Sequence, residues 1–259
     1  MDIAIYARYR DAVRDAYARG IGCTSEAFAT ERLTIVERPE PPAWPYTALL
    51  ATFGTGTVLS IEPILRSFAE AHTPAHHVQA MSPGFVQLLI EEGDRQGVPL
   101  QSTRPGICFT FGEQPAAVVA PSGLTLKLVD AAWMAEEMPR RRFENGVGEV
   151  GVAGRDFRNQ CAAVLFDDME APVAVAGAFL TYGLFEVGID VVRSRRGQGL
   201  APIVVRAVTA EIVRRGEVPF YGCAATNIRS QRTALASGYV PVCSDAAITR
   251  VPLSAPLGE

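Results

Sequence analysis

Lysine is almost missing from this chain. Lys127 is the only one among 24 basic residues, and the rest are arginine. Basic excess is missing as well, because 28 acidic residues leave a formal net charge of -4. A nucleic-acid binder carries a basic face, so nucleic acid is not an expected partner. Cysteine is sparse and badly spaced for pairing. Cys23, Cys108, Cys161, Cys223 and Cys243 make an odd number with no C-x-x-C, which suggests neither a disulfide framework nor a zinc site. Long apolar runs are missing too. No stretch approaches the roughly 20 apolar residues of a membrane span. Met1-Asp2-Ile3 does not open a charged region followed by an apolar one, so no secretion leader is expected. The expectation is a reduced, cytoplasmic protein with no membrane partner.

What is there suffices for a folded core. The chain has 259 residues, 48% hydrophobic and 20% charged, which suits one large domain or two small ones. Helical spacing of Ile5, Tyr9, Val13 and Tyr17 predicts a helix that Gly20 and Gly22 stop. Leu33–Glu37 and Thr57–Ile61 read as strands on either side of a proline-rich segment, 38–45, and an apolar run, Tyr46–Phe53. Pro63 opens a helix through His72, and Ser82-Pro83 opens another over 84–97. Gly106–Phe111 and Ala116–Ala120 read as strands. Pro121-Ser122-Gly123 is a break, and the expected domains are 1–122 and 123–259.

The second half opens with a strand, Leu124–Val129, and a helix over 130–137. Arg140-Arg141-Arg142 and a glycine-rich stretch, Gly146 to Gly154, follow. Cys161–Phe166 and Val173–Leu180 form a hairpin around the turn residues 167–172. Phe185–Val192 adds a third strand, whose alternation puts Glu186, Gly188 and Asp190 on one face. An amphipathic helix runs over 200–215, then a strand, Phe220–Ala225, and a helix capped by Asn227 and ended by Gly238. Tyr239–Cys243 and Ala247–Val251 are final strands. The fold class expected is α/β, with a mixed sheet.

Between strand and helix lies Arg196-Gly197-Gln198-Gly199-Leu200-Ala201. Strand, glycine turn and helix build an anion site from backbone N–H groups. A P-loop would need Gly-Lys-Ser/Thr, and here Gly199 precedes Leu200 and Ala201. A dinucleotide fingerprint would need a third glycine at position 202, which is proline, and a parallel βαβ context, which the meander lacks. A third reading is a pyrophosphate cradle for coenzyme A, and a fourth is a glycine-rich helix entry that binds no ligand.

This hexapeptide resembles the (Q/R)-x-x-G-x-(G/A) motif of the GCN5-related N-acetyltransferases. The flanks resemble that family too: the strand Glu186–Val192 before it, the helix after it, then Asn227-Ile228-Arg229-Ser230 and Ser237-Gly238-Tyr239. The resemblance covers about 125 to 251. Residues 1–122 carry no motif of it, and are either a diverged second copy of the fold or an unrelated α/β accessory domain. The resemblance implies acetyl-CoA as cosubstrate and a primary amine, of a small molecule, as acceptor. It implies that the pantetheine arm lies where the strand before the turn splays from the next one. By position, Ile189, Asp190, Val191 and Val192 would meet the arm. Arg196, Gly197, Gln198, Gly199, Leu200 and Ala201 would hold the pyrophosphate, and Asn227 and Ser230 would contact the coenzyme. Asn227 reads equally as a plain helix N-cap, and Ser230 as a first-turn residue.

Direct attack by the amine needs a base for its proton. Glu186 is the first candidate and Asp190, on the same face, the second; each is otherwise an ordinary paired carboxylate. The family often places an acidic tyrosine where this chain has Ala234. Tyr239, Tyr221, Ser230 and Cys223 are the possible substitutes for that acid, and packing competes with it for the tyrosines. His72 and His76 have metal-like spacing, but Pro74 interrupts the helix they would need, so no metal is expected. The arginine triplet is either an anion site or a solvated face. A second class of function, an acyl-CoA-binding sensor without turnover, fits the same glycines. In the transferase reading the N-terminal half would cover the acceptor side, form a homodimer, or do both.

Overall fold

The computed structural model of the chain describes residues 1–42, 45–103, 105–137, 140, 142–147, 158–181 and 183–251. Arg141 and the stretch from Gly148 to Gly154 lie outside these. The elements in order are α1 (Ile3–Ile21), β1 (Leu33–Glu37), β2 (Ala48–Thr52), β3 (Thr57–Ile61), α2 (Pro63–Ala71), α3 (Pro83–Arg95), β4 (Leu100–Ser102) and β5 (Gly106–Phe111). There follow β6 (Thr125–Asp130), α4 (Ala131–Glu137), α5 (Glu144–Val147), β7 (Arg158–Phe166), β8 (Pro172–Thr181), β9 (Leu184–Val191), α6 (Leu200–Arg214), β10 (Pro219–Ala224), α7 (Ile228–Ala236) and β11 (Tyr239–Arg250).

The chain divides into two compact units, one of 1–16 and 107–242, the other of 17–106 and 243–259. The Pro121-Ser122-Gly123 break predicts one cut near residue 122. The units are instead interleaved along the chain, because the first turns of α1 and most of β5 pack with the second half. Asp2 N donates to Gly112 O, and the Tyr6 hydroxyl to Pro241 O.

In the smaller unit β1 runs parallel to β3, β3 antiparallel to β2, and β2 antiparallel to the last residues of β11. Leu50, Leu59, Ile61, Leu65 and Leu89 are fully buried there, each worth about 1.5–3 kcal/mol of burial. The larger unit has strand order β5-β10-β9-β8-β7-β6. β9 runs parallel to β10, and β6 to β9 form an antiparallel meander.

Strand β8 is apolar throughout, because it is covered on both faces. Ala174, Ala176 and Ala178 face the cluster that holds Val204, Val208 and Ile212 of α6. Val175 and Phe179 face Met134 of α4 and Val147 of α5. α6 buries Leu200, Val204, Val208 and Ile212, one per turn, as their spacing predicts. α5 rests on the sheet backbone to backbone. A Cβ at Gly188 would fall 1.8 Å from Asn145 O, and one at Gly177 would fall 1.9 Å from Gly146 O.

Two expectations are corrected. Residues 116–120 form no strand, and the two strands expected at the C-terminal end are one, β11. α5 and β4 were not expected. Among the described residues no helix is long and apolar enough to cross a membrane.

Candidate functional site

The register of β9 fixes the site. β9 pairs with β8 along its whole length, from Thr181↔Leu184 to Ala174↔Val191. With β10 it pairs only at Pro219↔Phe185 and Phe220↔Glu186. Beyond Phe220 the two parallel strands are no longer in register, so the sheet forks. Phe185 N donates towards β10, to Val218 O, and Val192 N donates towards β8, to Val173 O. Backbone direction alternates along a strand. Ile189 and Val191 therefore turn their peptide groups into the fork, while Asp190 and Val192 turn theirs to β8. Of the four positions expected to meet an acyl arm, two turn their backbone into the fork.

The fork leads up to the glycine turn. Gly197 and Gly199 have φ of 83° and 75°, a left-handed conformation that other residues adopt at a cost. A Cβ at either would meet nothing within 4 Å. These glycines are thus required by the backbone and not by packing, and open space lies over them. Gly199 is the N-cap of α6 and supplies no side-chain cap, so the first N–H groups of the helix are left for an external acceptor. Leu200 is buried and anchors the turn in the core; Gln198 is exposed and Ala201 half-buried. Arg196 Nε donates to Val191 O at 3.1 Å, which folds its guanidinium back over the end of β9. Arg193, Arg195 and Arg196 have no carboxylate partner among the described residues. Helix dipole and arginine charge therefore act together on an anion at this place.

Glu186 lies where the fork begins. It is half-buried, on the face opposite α6, and its Oε1 is 3.3 Å from where a Gly222 Cβ would stand. Gly222 lets this carboxylate reach across to β10. Sequence reading missed that residue, because its place depends on where the β9–β10 pairing stops. Asp190 shares the face but has a different task. Its Oδ2 accepts from Asn145 N at 2.7 Å and Gly146 N at 3.0 Å, and its Oδ1 from Asn145 Nδ2 at 2.9 Å. Both oxygens are used to hold the start of α5.

Across the sheet, β10 and α7 bring hydroxyls together. Asn227 Oδ1 accepts from Ser230 N at 3.2 Å, the N-cap expected. The Ser230 and Tyr221 hydroxyls are 2.8 Å apart. Burial pushes the Tyr221 phenol up to about 12, against a smaller opposing effect of the Ser230 hydrogen bond. Burial also raises the Cys223 thiol, against a smaller opposing effect of Ser230. Tyr239 is fully buried, bonded to Thr209 at 2.8 Å, with its phenol raised by burial. Ala234 is fully buried as well.

The remaining candidates are held elsewhere. Arg140 and Arg142 both pair with the buried Glu137, at 2.8 and 2.7 Å. His72 Nδ1 lies 2.8 Å from Phe68 O with its ring stacked on Phe68, and His77 Nδ1 lies 3.1 Å from the Thr57 hydroxyl. Among the described residues no three His, Cys, Asp or Glu side chains could hold a metal ion together.

No protein-family model matches the chain, and no curated protein matches it. Solved structures do. A Drosophila protein aligns with a TM-score of 0.50 at 17% identity, over 81% of this chain and 76% of its own. A GCN5-related N-acetyltransferase from Kribbella flavida aligns at 0.47 and 17%, over 96% of both chains. One from Sphaerobacter thermophilus aligns at 0.45 and 14%, over 93% of both. Solved GCN5-related N-acetyltransferases are thus among the structures this chain resembles. At such identities the resemblance concerns the fold, and the fold is mixed α/β.

Proposed function

We propose that this protein is an acetyl-CoA-dependent N-acetyltransferase that acylates the primary amine of a small molecule by direct attack, with both substrates bound together. One observation carries the reading: the β9–β10 fork, lined by the peptide groups of Ile189 and Val191, opens onto a turn whose two left-handed glycines leave helix N–H groups free. A diphosphate suits the turn, and an extended amide-bearing arm suits the strand edge that β10 leaves past Phe220. Gly197 to Ala201, with Arg196, hold the diphosphate, and Asn227 and Ser230 flank the arm on the far side.

An arm anchored at the turn and laid along β9 ends at the fork's closed end, beside Glu186. There Glu186 takes the proton of the attacking amine, directly or through water. The amine nitrogen bonds to the thioester carbonyl carbon, the C–S bond breaks, and its electron pair leaves on sulfur. Asp190 does not compete for this role in the reading, because α5 uses both its oxygens; it positions the face on which the amine arrives.

Titration calorimetry with acetyl-CoA, beside thiol release over a panel of primary amines, tests the proposal. Binding together with thiol release on at least one amine is expected. Binding without release on any amine would favour a sensor of acyl-CoA, a reading that the closed, fully buried Ala234 position in α7 supports. Absence of binding would remove both.

A further inference from the structure

The turn and α7 carry charge of one sign. Residues 191–210 and 218–242 hold six arginines, at positions 193, 195, 196, 206, 229 and 232, and no Asp or Glu, in a chain whose acids outnumber its bases. None of the six has a carboxylate partner among the described residues. Arg193, Arg196, Arg206, Arg229 and Arg232 are exposed. β9 and β10 run parallel, so the turn that follows β9 and the helix that follows β10 start at the same end of the sheet. Arg229 lies in the first turn of α7, and Arg206 Nη2 donates to Ala236 O in its last. Positive charge therefore runs the length of a nine-residue helix, about 13 Å.

The outer face of α7 is patterned. Ile228, Arg232 and Leu235, spaced i, i+4 and i+7, form one stripe, with Arg229 beside it. Ile228 and Leu235 are 53% and 54% exposed, while Ala234 on the inner side is fully buried. Glu113 brings a carboxylate near the far end, with its Oε2 2.8 Å from where a Gly238 Cβ would stand, past the stripe.

Free coenzyme A does not account for this face. Its diphosphate is met by the glycine turn and Arg196, and its arm by the fork. Two apolar side chains within a line of guanidinium groups complement a protein surface that sets acidic side chains around an apolar patch. A pantetheine arm also reaches enzymes tethered, held through a phosphodiester to a serine of a carrier protein. The protein around that serine then lies against the turn and the helix beside it.

We propose that α7 and the arginine-rich turn dock an acidic carrier protein, which delivers the acyl group on a phosphopantetheine arm. This rests on the reading of turn and fork as an arm site, and it names the macromolecule that brings the arm. The single phosphodiester takes the place of the diphosphate at the turn. The transfer balances as before: the amine nitrogen bonds to the thioester carbon, the C–S bond breaks with its electron pair on the sulfur of the tethered arm, the amine proton goes to Glu186, and solvent protonates the sulfur.

The test compares two donors on the full chain by titration calorimetry: acetyl-CoA, and a purified acidic acyl carrier protein charged with an acetyl-phosphopantetheine arm. The wild type should bind both, and the charged carrier more weakly as salt rises. In the double variant Arg229→Glu with Arg232→Glu, carrier affinity should fall by about tenfold or more, and acetyl-CoA affinity should stay within about threefold. Ile228→Ala with Leu235→Ala should also weaken the carrier and spare acetyl-CoA. Arg32→Glu, which reverses an exposed charge in the smaller unit, should change neither. Binding of acetyl-CoA without binding of the charged carrier would overturn the proposal and leave the reading of turn and fork standing. Equal carrier affinity in the wild type and the arginine double variant would overturn it too. So would an equal loss for both donors, which would assign the α7 arginines to the coenzyme itself. Capture of phosphatidylglycerol vesicles through the same arginines, with no carrier bound, would give the face to a membrane instead. Failure of the wild type to bind either donor would remove the reading beneath the proposal, and the proposal with it.

Discussion

Glu186 and Asp190 are two residues of one type, four apart on one strand face, and the structure separates them by their neighbours. Asp190 has three N–H donors, all from α5. Glu186 reaches the fork past Gly222. If Glu186 is the base, Glu186→Gln keeps the size and loses the proton acceptor. Thiol release should fall by about 10²–10⁴-fold, with acetyl-CoA affinity unchanged. Equal rates in the two proteins from about pH 6 to about pH 9 would move the role elsewhere. The glycines allow a second residue test. Gly199→Ala puts a Cβ on a left-handed residue, which costs about 1–2 kcal/mol. A turn that shifts to relieve this should bind acetyl-CoA about tenfold more weakly. Gly216, at the other end of α6, also has a positive φ of 80°. Gly216→Ala should cost similar stability and leave that affinity alone. Equal affinity losses in both would mean that strain, and not the cradle, is being measured.

At the scale of the element, α5 is the unit that short-range rules could not supply. It has four residues, too few for a periodic pattern, and it exists because Asp190 caps it and because Gly177 and Gly188 let it touch the sheet. Asp190→Ala should therefore raise hydrogen exchange at 144–147 and lower stability by about 1–3 kcal/mol. Were Asp190 the base, the rate would fall with exchange unchanged. The longer elements were legible because their causes are local. The α6 stripe, the Ser82 and Asn227 caps and the alternation of β9 each lie within a few residues of one another. Residues 116–120 misled because an apolar run makes a strand only where a neighbour offers a ladder. The glycine turn was legible as a motif, and so was Glu186 as a candidate. The fork itself was not. It depends on where the β9–β10 register stops, which no local pattern encodes, and the same is true of the pairing of Tyr221 with Ser230.

Over the whole molecule, the near-absence of lysine acquires a structural sense. Among the described residues three buried carboxylates are each held by two arginines, and a fourth, Glu92, by Arg95 and Gln96. Glu62 pairs with Arg38 and Arg250, Glu137 with Arg140 and Arg142, and Glu211 with Arg214 and Arg215. Two guanidinium groups can satisfy both oxygens of a buried carboxylate, where a lysine would act as a point charge. The Glu211 case gives a pH dependence. Hydrogen bonds from Arg214 chiefly, then Arg215, hold its carboxyl down to about 2, against an ordinary 4.5 and a smaller opposing effect of burial. A carboxyl lowered on folding adds stability that is complete above its unfolded value and fades as the folded value is approached. Glu211 should thus stabilise the protein fully above about pH 4.5 and lose that contribution as the pH falls towards 2. Glu211→Gln should lower the unfolding midpoint at pH 7, and the gap to the wild type should narrow steadily through this acid range. Denaturant unfolding followed at several pH values reads the gap directly. A gap that stays constant from pH 7 to the acid end would mean that Glu211 contributes by packing alone, since packing does not titrate, and the arginine pairs would then be bystanders at that site.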